Sequence, residues 1–176
     1  MLGRGAGFVR TLMLLRHAKS DWDSDAVDDF ARPLAERGRK AAERMGVWMR
    51  QHVSAPDHVI SSPAVRARET VRVLCETSGW DAMQVVYEDS LYLADAVELL
   101  SLVRGFPGEA KSVMLVGHNP GMEELLAYLC GENLPTTSNG KLLPTATLAQ
   151  ITVAAAWRNI RRNSCQLIAI TRPKEL

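Results

Sequence analysis

The chain is poor in cysteine. Only three occur in its 176 residues, Cys75, Cys130 and Cys165, and they are too widely spaced to form a Cys-x-x-Cys pair. That excludes the common zinc motifs and a disulfide framework, and it fits a reducing, cytoplasmic setting. Excess charge is also lacking. The 21 Lys and Arg nearly cancel the 20 Asp and Glu, for a formal net charge of +1, so bulk charge announces no nucleic acid and no membrane as a partner. No apolar run is long enough for a membrane span or a signal-peptide core. Repeats, low-complexity runs and linkers are missing. "GRGAG" at residues 3–7 precedes a strand pattern and lacks the GxGxxG spacing, so it is no dinucleotide loop. With 47% hydrophobic residues the chain can bury a sizeable core. It reads as a single domain over 1–176, with residues 1–7 a flexible arm.

Short apolar runs alternate with amphipathic stretches. "FVRTLMLL" (8–15), "PDHVISS" (56–62), "QVVY" (84–87) and "SVMLVG" (112–117) read as strands; the continuous apolar runs among them suit strands covered on both faces. Helices are predicted over 31–52, with Pro33 in the first turn and Gly38 a weak spot, and over 64–79, 94–106 and 121–131. A loop rich in Pro, Thr, Ser, Asn and Gly follows at 132–145. "ATLAQITV" (146–153) and "CQLIAIT" (165–171) close the chain as two strands, antiparallel to each other. "RNIRRN" (158–163) is a solvated basic turn between them. This alternation predicts an α/β fold, a three-layer α/β/α sandwich on a mostly parallel sheet.

In such sheets ligands bind beyond the carboxyl ends of the strands. Three sequence spots share that address: Arg16-His17 after the first strand, Arg66 in the first turn of the second helix, and His118-Asn119 after "SVMLVG". Taken singly, each is explained as an ordinary loop or helix residue. Together they place two imidazoles and two guanidiniums at one edge. Guanidinium forks hold phosphate oxygens bidentately, and free N–H groups at helix N-termini favour the same anion. A neutral imidazole attacks phosphorus. A second, protonated one stabilises the transferring group.

The segments "LRHAKS", "SSPAVRARET" and "VGHNPG" resemble the signature segments of the histidine phosphatase superfamily, and the whole pattern from residue 12 to 172 is similar to its SixA-type phosphohistidine phosphatases. The resemblance implies a phosphoglycerate-mutase-like fold, a covalent phosphohistidine at His17, and Arg16, Arg66 and His118 as phosphate ligands, with Asn119 beside them in the substrate-binding set. It implies no metal and no cofactor. The expected partner is a phosphorylated substrate, foremost a protein bearing phosphohistidine, and the expected state is a monomer or weak dimer.

Two departures matter. Ala18 stands where the superfamily's commonest motif has Gly. The proton-donating carboxylate of its mutases and monoesterases has no evident counterpart: Glu88 and Asp89 lie near the expected region, and Asp21 and Asp23 follow the first motif, where they read first as loop or capping carboxylates. A P–N bond expels an imidazole that solvent protonates readily, whereas an ester expels an alkoxide that needs an acid. A site without a dedicated acid therefore suits phosphoramidates. The short chain leaves little for a lid, which predicts an open pocket. Trp22 is placed to line it, while Trp48, Trp80 and Trp157 are expected in packing, and His52 and His58 at the surface. The alternatives are a monoesterase of small metabolites or nucleotides and a phosphate-binding module without turnover.

Overall fold

The computed structural model describes residues 9–176; the expected N-terminal arm and Phe8 lie outside them. Strands β1 (Arg10–Arg16), β2 (His58–Ser61), β3 (Val85–Tyr87), β4 (Ser112–Gly117), β5 (Leu148–Val153) and β6 (Cys165–Thr171) form one sheet in the order β3-β2-β4-β1-β5-β6. β1, β2, β3 and β4 run parallel, whereas β5 is antiparallel to both β1 and β6. Helices α1 (Glu36–His52) and α2 (Val65–Ser78) pack together, as do α3 (Ala96–Arg104) and α4 (Gly121–Cys130).

The central strands explain their own composition. In β1, Leu12 and Leu14 join the core beneath α3 and α4, while Met13 and Leu15 join the core beneath α1 and α2. In β4, Val113 and Leu115 take the first side and Met114 and Val116 the second. Both faces are covered, so neither strand can alternate apolar with polar residues. The helices bring matching stripes: Met45 and Met49 from α1, Val71, Leu74 and Cys75 from α2, Leu99 and Val103 from α3, and Met122, Leu125 and Leu129 from α4. Trp157 is 1% exposed, and its indole N–H donates to the Ala110 carbonyl at 2.9 Å. Helix α3 is fixed at its start by a capping box between Asp95 and Glu98.

The first helix departs from its sequence pattern. It starts at Glu36, five residues later than the apolar stripe predicts, because the residues before it are recruited elsewhere. Leu34 forms a bridge with Ser20, the Asp21 N–H donates to the Pro33 carbonyl at 2.9 Å, and the Ala35 N–H donates to the Lys19 carbonyl at 2.9 Å. The chain just after β1 is thereby stitched to the chain just before α1. Gly38, a weak spot on helix propensity, is required by this contact: a Cβ there would collide with the Lys19 backbone carbonyl.

Gly38→Ala should therefore destabilise the protein despite alanine's better helix propensity. Overpacking against backbone costs about 1–3 kcal/mol, roughly 2–4 °C in melting temperature per kcal/mol for a chain of this size. Gly108→Ala, where a Cβ meets open space, should leave the melting temperature nearly unchanged. Equal melting temperatures for the two variants would refute the contact.

Candidate active site

Strand pairing brings the two histidines together. Arg16 of β1 lies in register with Gly117 of β4, and the next residue on each strand is a histidine. The His17 N–H continues the ladder to the Gly117 carbonyl at 3.0 Å. The imidazole centroids are 4.9 Å apart, tilted by 54°. β2 flanks β4 on its other side, and the Ser62 N–H donates to the Val116 carbonyl at 2.9 Å. Arg66 enters from the first turn of α2. Thr70, one turn later, couples it to the first motif: its hydroxyl donates to the Arg66 carbonyl at 2.6 Å and accepts from the Ala18 N–H at 2.9 Å.

The hydrogen bonds settle both tautomers. His17 Nδ1 lies 2.7 Å from the Ala18 carbonyl, which can only accept, so Nδ1 carries the proton. Nε2 keeps its lone pair and receives the Arg66 Nε–H at 3.3 Å. His118 has the opposite form. Its Nδ1 faces Arg66 Nη2, a donor, at 3.3 Å, so the proton sits on Nε2 and goes to the Ser62 hydroxyl at 2.7 Å. Burial pushes His17 down to about 3, outweighing the favourable Ala18 hydrogen bond, with His118, Arg66 and Arg16 adding to the fall. Burial, then Arg66, carries His118 down to about 4, with Asp29 opposing and Arg16 assisting. In the free protein both rings are therefore held neutral.

Arg16 lies on the other flank. Its Nη1 donates to the Leu143 carbonyl at 2.8 Å, and Asn119 Nδ2 donates to the same carbonyl at 3.1 Å. The Leu143 N–H is held by Glu123 at 2.7 Å. Arg16 Nε and Asn119 Oδ1 are buried without a protein partner. His17, Arg66 and His118 are only 8%, 2% and 3% exposed. The segment between β1 and α1 meets Arg66 through Asp29, whose carbonyl and carboxylate accept from it at 2.6 and 2.9 Å. From that segment the Phe30 carbonyl takes the Val65 N–H at 3.0 Å. Just before the helix the Ala64 N–H lies on the Ser62 hydroxyl at 3.3 Å, and no side chain caps the first turn of α2.

The four carboxylates considered from sequence do not reach this set. Asp21 accepts from the Asp23 N–H at 3.0 Å in a local turn, Glu88 caps Ser90, and no hydrogen bond or ion pair joins Asp23 or Asp89 to the histidines or arginines. Trp22 is 68% exposed and packs its ring under the Arg32 guanidinium at 3.6 Å. His52 is exposed and stacks on Trp48. Sequence reasoning missed Ser62 and Thr70, although both lie in "SSPAVRARET" and Thr70 is one turn from Arg66. It also missed Asp29, which pairs with Arg66, and Tyr92, whose hydroxyl donates to Asp29 at 2.8 Å. Nothing local distinguishes Asp29 among the five aspartates of residues 21–29. Among the described residues no group of three or more His, Cys, Asp or Glu is arranged to hold a metal ion.

Comparison with known proteins agrees with this geometry. Residues 12–92 match the model of the histidine phosphatase superfamily (branch 1). A protein of Nakamurella multipartitia designated a candidate phosphohistidine phosphatase SixA is 32% identical, with a TM-score of 0.79 over 94% of this chain and 96% of its own. One from Agrobacterium tumefaciens, designated likewise, is also 32% identical, with a TM-score of 0.77 over 93% and 98%. Phosphoglycerate mutase of Bacillus anthracis, 14% identical, shares the fold, with a TM-score of 0.62 over 96% of each chain.

The depressed histidines make stability pH-dependent. Their ordinary value is 6.5, so below it the unfolded chain binds protons that the folded site refuses, and stability falls with falling pH down to the folded values. The loss at pH 5 relative to neutrality is on the order of 2 kcal/mol per histidine. Urea midpoints at the two pH values should differ accordingly, and His118→Gln should reduce the difference. A variant with the same pH slope as wild type would contradict the neutral assignment.

Proposed function

The chain belongs to the histidine phosphatase superfamily, and from that premise we propose that it hydrolyses phosphoramidates, protein phosphohistidine foremost, through a phosphorylated His17. The observation that carries this reading is the His17 tautomer. The Ala18 carbonyl holds the proton on Nδ1 and leaves the Nε2 lone pair between two guanidiniums and a second imidazole. A neutral nitrogen nucleophile set in a cationic pocket is suited to a phosphoryl dianion.

In the first step Nε2 of His17 attacks phosphorus as the P–N bond to the substrate imidazole breaks. The proton stays on Nδ1, hydrogen-bonded to the Ala18 carbonyl, which stabilises the charge gained by the phosphorylated ring. The departing imidazole takes its proton from water. In the second step water attacks the phosphohistidine, loses its proton to solvent, and releases inorganic phosphate with His17 restored. Arg16 and Arg66 neutralise the phosphoryl oxygens in both steps. A dianion beside His118 favours protonation of that ring, so the imidazolium expected from sequence forms with the ligand. The likeness to proteins designated candidate phosphohistidine phosphatases supports the substrate class. The electrostatics of Asp29 disfavour the monoesterase alternative. Partial burial pushes this carboxyl upward, but Tyr92, Arg66 and Arg32 outweigh it and hold it below its ordinary value, in the anionic form. It is a poor proton donor to an alkoxide.

The deciding experiment compares hydrolysis of a phosphohistidine-bearing protein, a small phosphoramidate and an alkyl phosphate. The phosphoramidates should be cleaved much faster, and quenched enzyme should carry an acid-labile, base-stable phosphate. His17→Ala should lose both properties while keeping its fold. Turnover at the wild-type rate in His17→Ala, or preference for the ester, would overturn the proposal.

Arg66→Lys tests the arginine. Lysine keeps the charge but replaces a planar fork by a point donor. Loss of one charge-assisted hydrogen bond costs roughly 1.5–3 kcal/mol, about a tenfold to hundredfold fall in rate. The fall should appear mainly in kcat, because attraction of the dianion in the ground state survives. Arg68→Lys is the control: Arg68 is exposed, with its guanidinium 4.2 Å above the Tyr87 ring. Equal kinetics for the two variants would mean that Arg66 does not hold the phosphoryl group.

A further inference from the structure

Asp29 is the one carboxylate among the described residues that is hydrogen-bonded to any of Arg16, His17, Arg66 and His118. Its grip on Arg66 is double. The Asp29 carbonyl accepts from Nη1 at 2.6 Å, and its Oδ2 accepts from Nη2 at 2.9 Å. Arg66 meets the histidines through other hydrogens, Nε toward His17 and Nη2 toward His118, at 3.3 Å each. Asp29 is itself held from two directions. Tyr92 donates to Oδ2 at 2.8 Å, and Arg32 Nη2 donates to Oδ1 at 2.6 Å. Arg32 is anchored in turn by its Nε on the Ser20 hydroxyl at 3.0 Å, and Tyr92 packs edge-on to both Phe30 and His118. The Asp29 side chain is 43% exposed, whereas that of Arg66 is 3% exposed. The carboxylate therefore has water on its outer side and a buried cation on its inner side.

On the footing of the phosphatase reading above, we propose that Asp29 is a positioning residue that fixes the rotation of the Arg66 guanidinium. An arginine fork offers two-point contact only when its plane is aimed, and a free side chain has many rotamers. Clamping Nη1 and Nη2 from the loop side turns the remaining N–H edge toward the space between His17 and His118. That is where a phosphoryl group in transfer has to sit. Asp29 does not act on the substrate directly, and held as an anion by three donors it carries no proton to give. Its negative charge also opposes the substrate dianion. The residue should therefore weaken ground-state binding while raising the rate of the step that needs Arg66 aimed. This split separates a positioning role from two others. An anion that merely blocks the site would slow nothing once removed, and a merely structural residue would carry binding and rate down together.

Asp29→Asn keeps size and one acceptor and removes the charge; Tyr92→Phe leaves Asp29 in place and removes one of its supports. kcat and KM for a small phosphoramidate, the inhibition constant of inorganic phosphate, and the melting temperature are measured on the full chain. Nitrogen-15 NMR of the Arg66 Nε–H reports the clamp without reference to turnover. In Asp29→Asn, kcat should fall about tenfold to hundredfold, phosphate should bind equally well or more tightly, and the Arg66 Nε–H should lose its protection from exchange. Tyr92→Phe should show the same pattern more weakly. Wild-type or raised kcat in Asp29→Asn would show Asp29 to be a blocking anion, and a parallel loss of kcat, phosphate binding and melting temperature would show it to be structural; either overturns the proposal. Failure of the wild-type protein to cleave any phosphoramidate would instead count against the function, and the NMR signal would still decide whether Asp29 clamps Arg66.

Discussion

A guanidinium that is 2% exposed needs partners, and the structure around Arg66 is arranged to supply them. Burying an unpaired charge is prohibitively costly. Arg66 meets that requirement with a carbonyl, a carboxylate and the lone pairs of two imidazoles. Each partner arrives from a different part of the chain: His17 from the end of β1, His118 from the end of β4, Asp29 from the segment between β1 and α1. The cation therefore ties together three connections that the sheet alone only brings near. It also fixes what the histidines can be. A donor pointed at His17 Nε2 and His118 Nδ1 requires both atoms to be unprotonated, and burial reinforces the choice.

The same arrangement explains why the resting site is not yet the reacting one. Arg66 Nε occupies the His17 lone pair that the proposed mechanism sends to phosphorus. A phosphoryl oxygen is a far better acceptor for that N–H than an imidazole, because it is charged. On the proposed mechanism, arrival of the substrate frees the nucleophile and engages the arginine in one exchange of hydrogen bonds. The Asp29 contacts lie on the other side of the guanidinium and need not break. His118 changes in the same event: its Nδ1 accepts from Arg66 in the free protein, and protonation beside a dianion turns it into a donor. The local charge is reorganised by the ligand and is not stored in advance.

Much of this was legible in the sequence where one local rule governs the outcome. β1 and β4 are buried on both faces, and that constraint writes itself as unbroken apolar runs, so both strands are read with near-correct bounds. The closing segments are legible as two strands by their apolar runs, and the structure pairs them antiparallel as expected. Arg66 could be placed because Pro63 and the following stripe mark a helix start. The late start of α1 was not legible, since Leu34 and Ala35 look helical and are claimed by Ser20 and Lys19 through contacts that have no local signature. Strand order was equally hidden. No feature of "SVMLVG" says that it lies beside β1, yet that adjacency is what sets His118 against His17.

Asp29 illustrates the limit most clearly. An aspartate in a charged, solvent-facing stretch has the same sequence signature whether it is idle or holds a buried arginine. Its role is defined by the far side of the contact, 37 residues away in the chain. In the sequence the candidates for a proton-donating carboxylate are those near the motifs, Asp21, Asp23, Glu88 and Asp89. The structure offers a carboxylate of the opposite character, kept anionic by Tyr92, Arg66 and Arg32. For chemistry in which the leaving group is an imidazole, this is coherent. Such a site gains little from an acid, because the departing nitrogen is protonated readily by water, but it gains from an arginine held in one orientation while phosphorus moves between two nitrogens. A carboxylate can serve either purpose, and here its partners assign it the second.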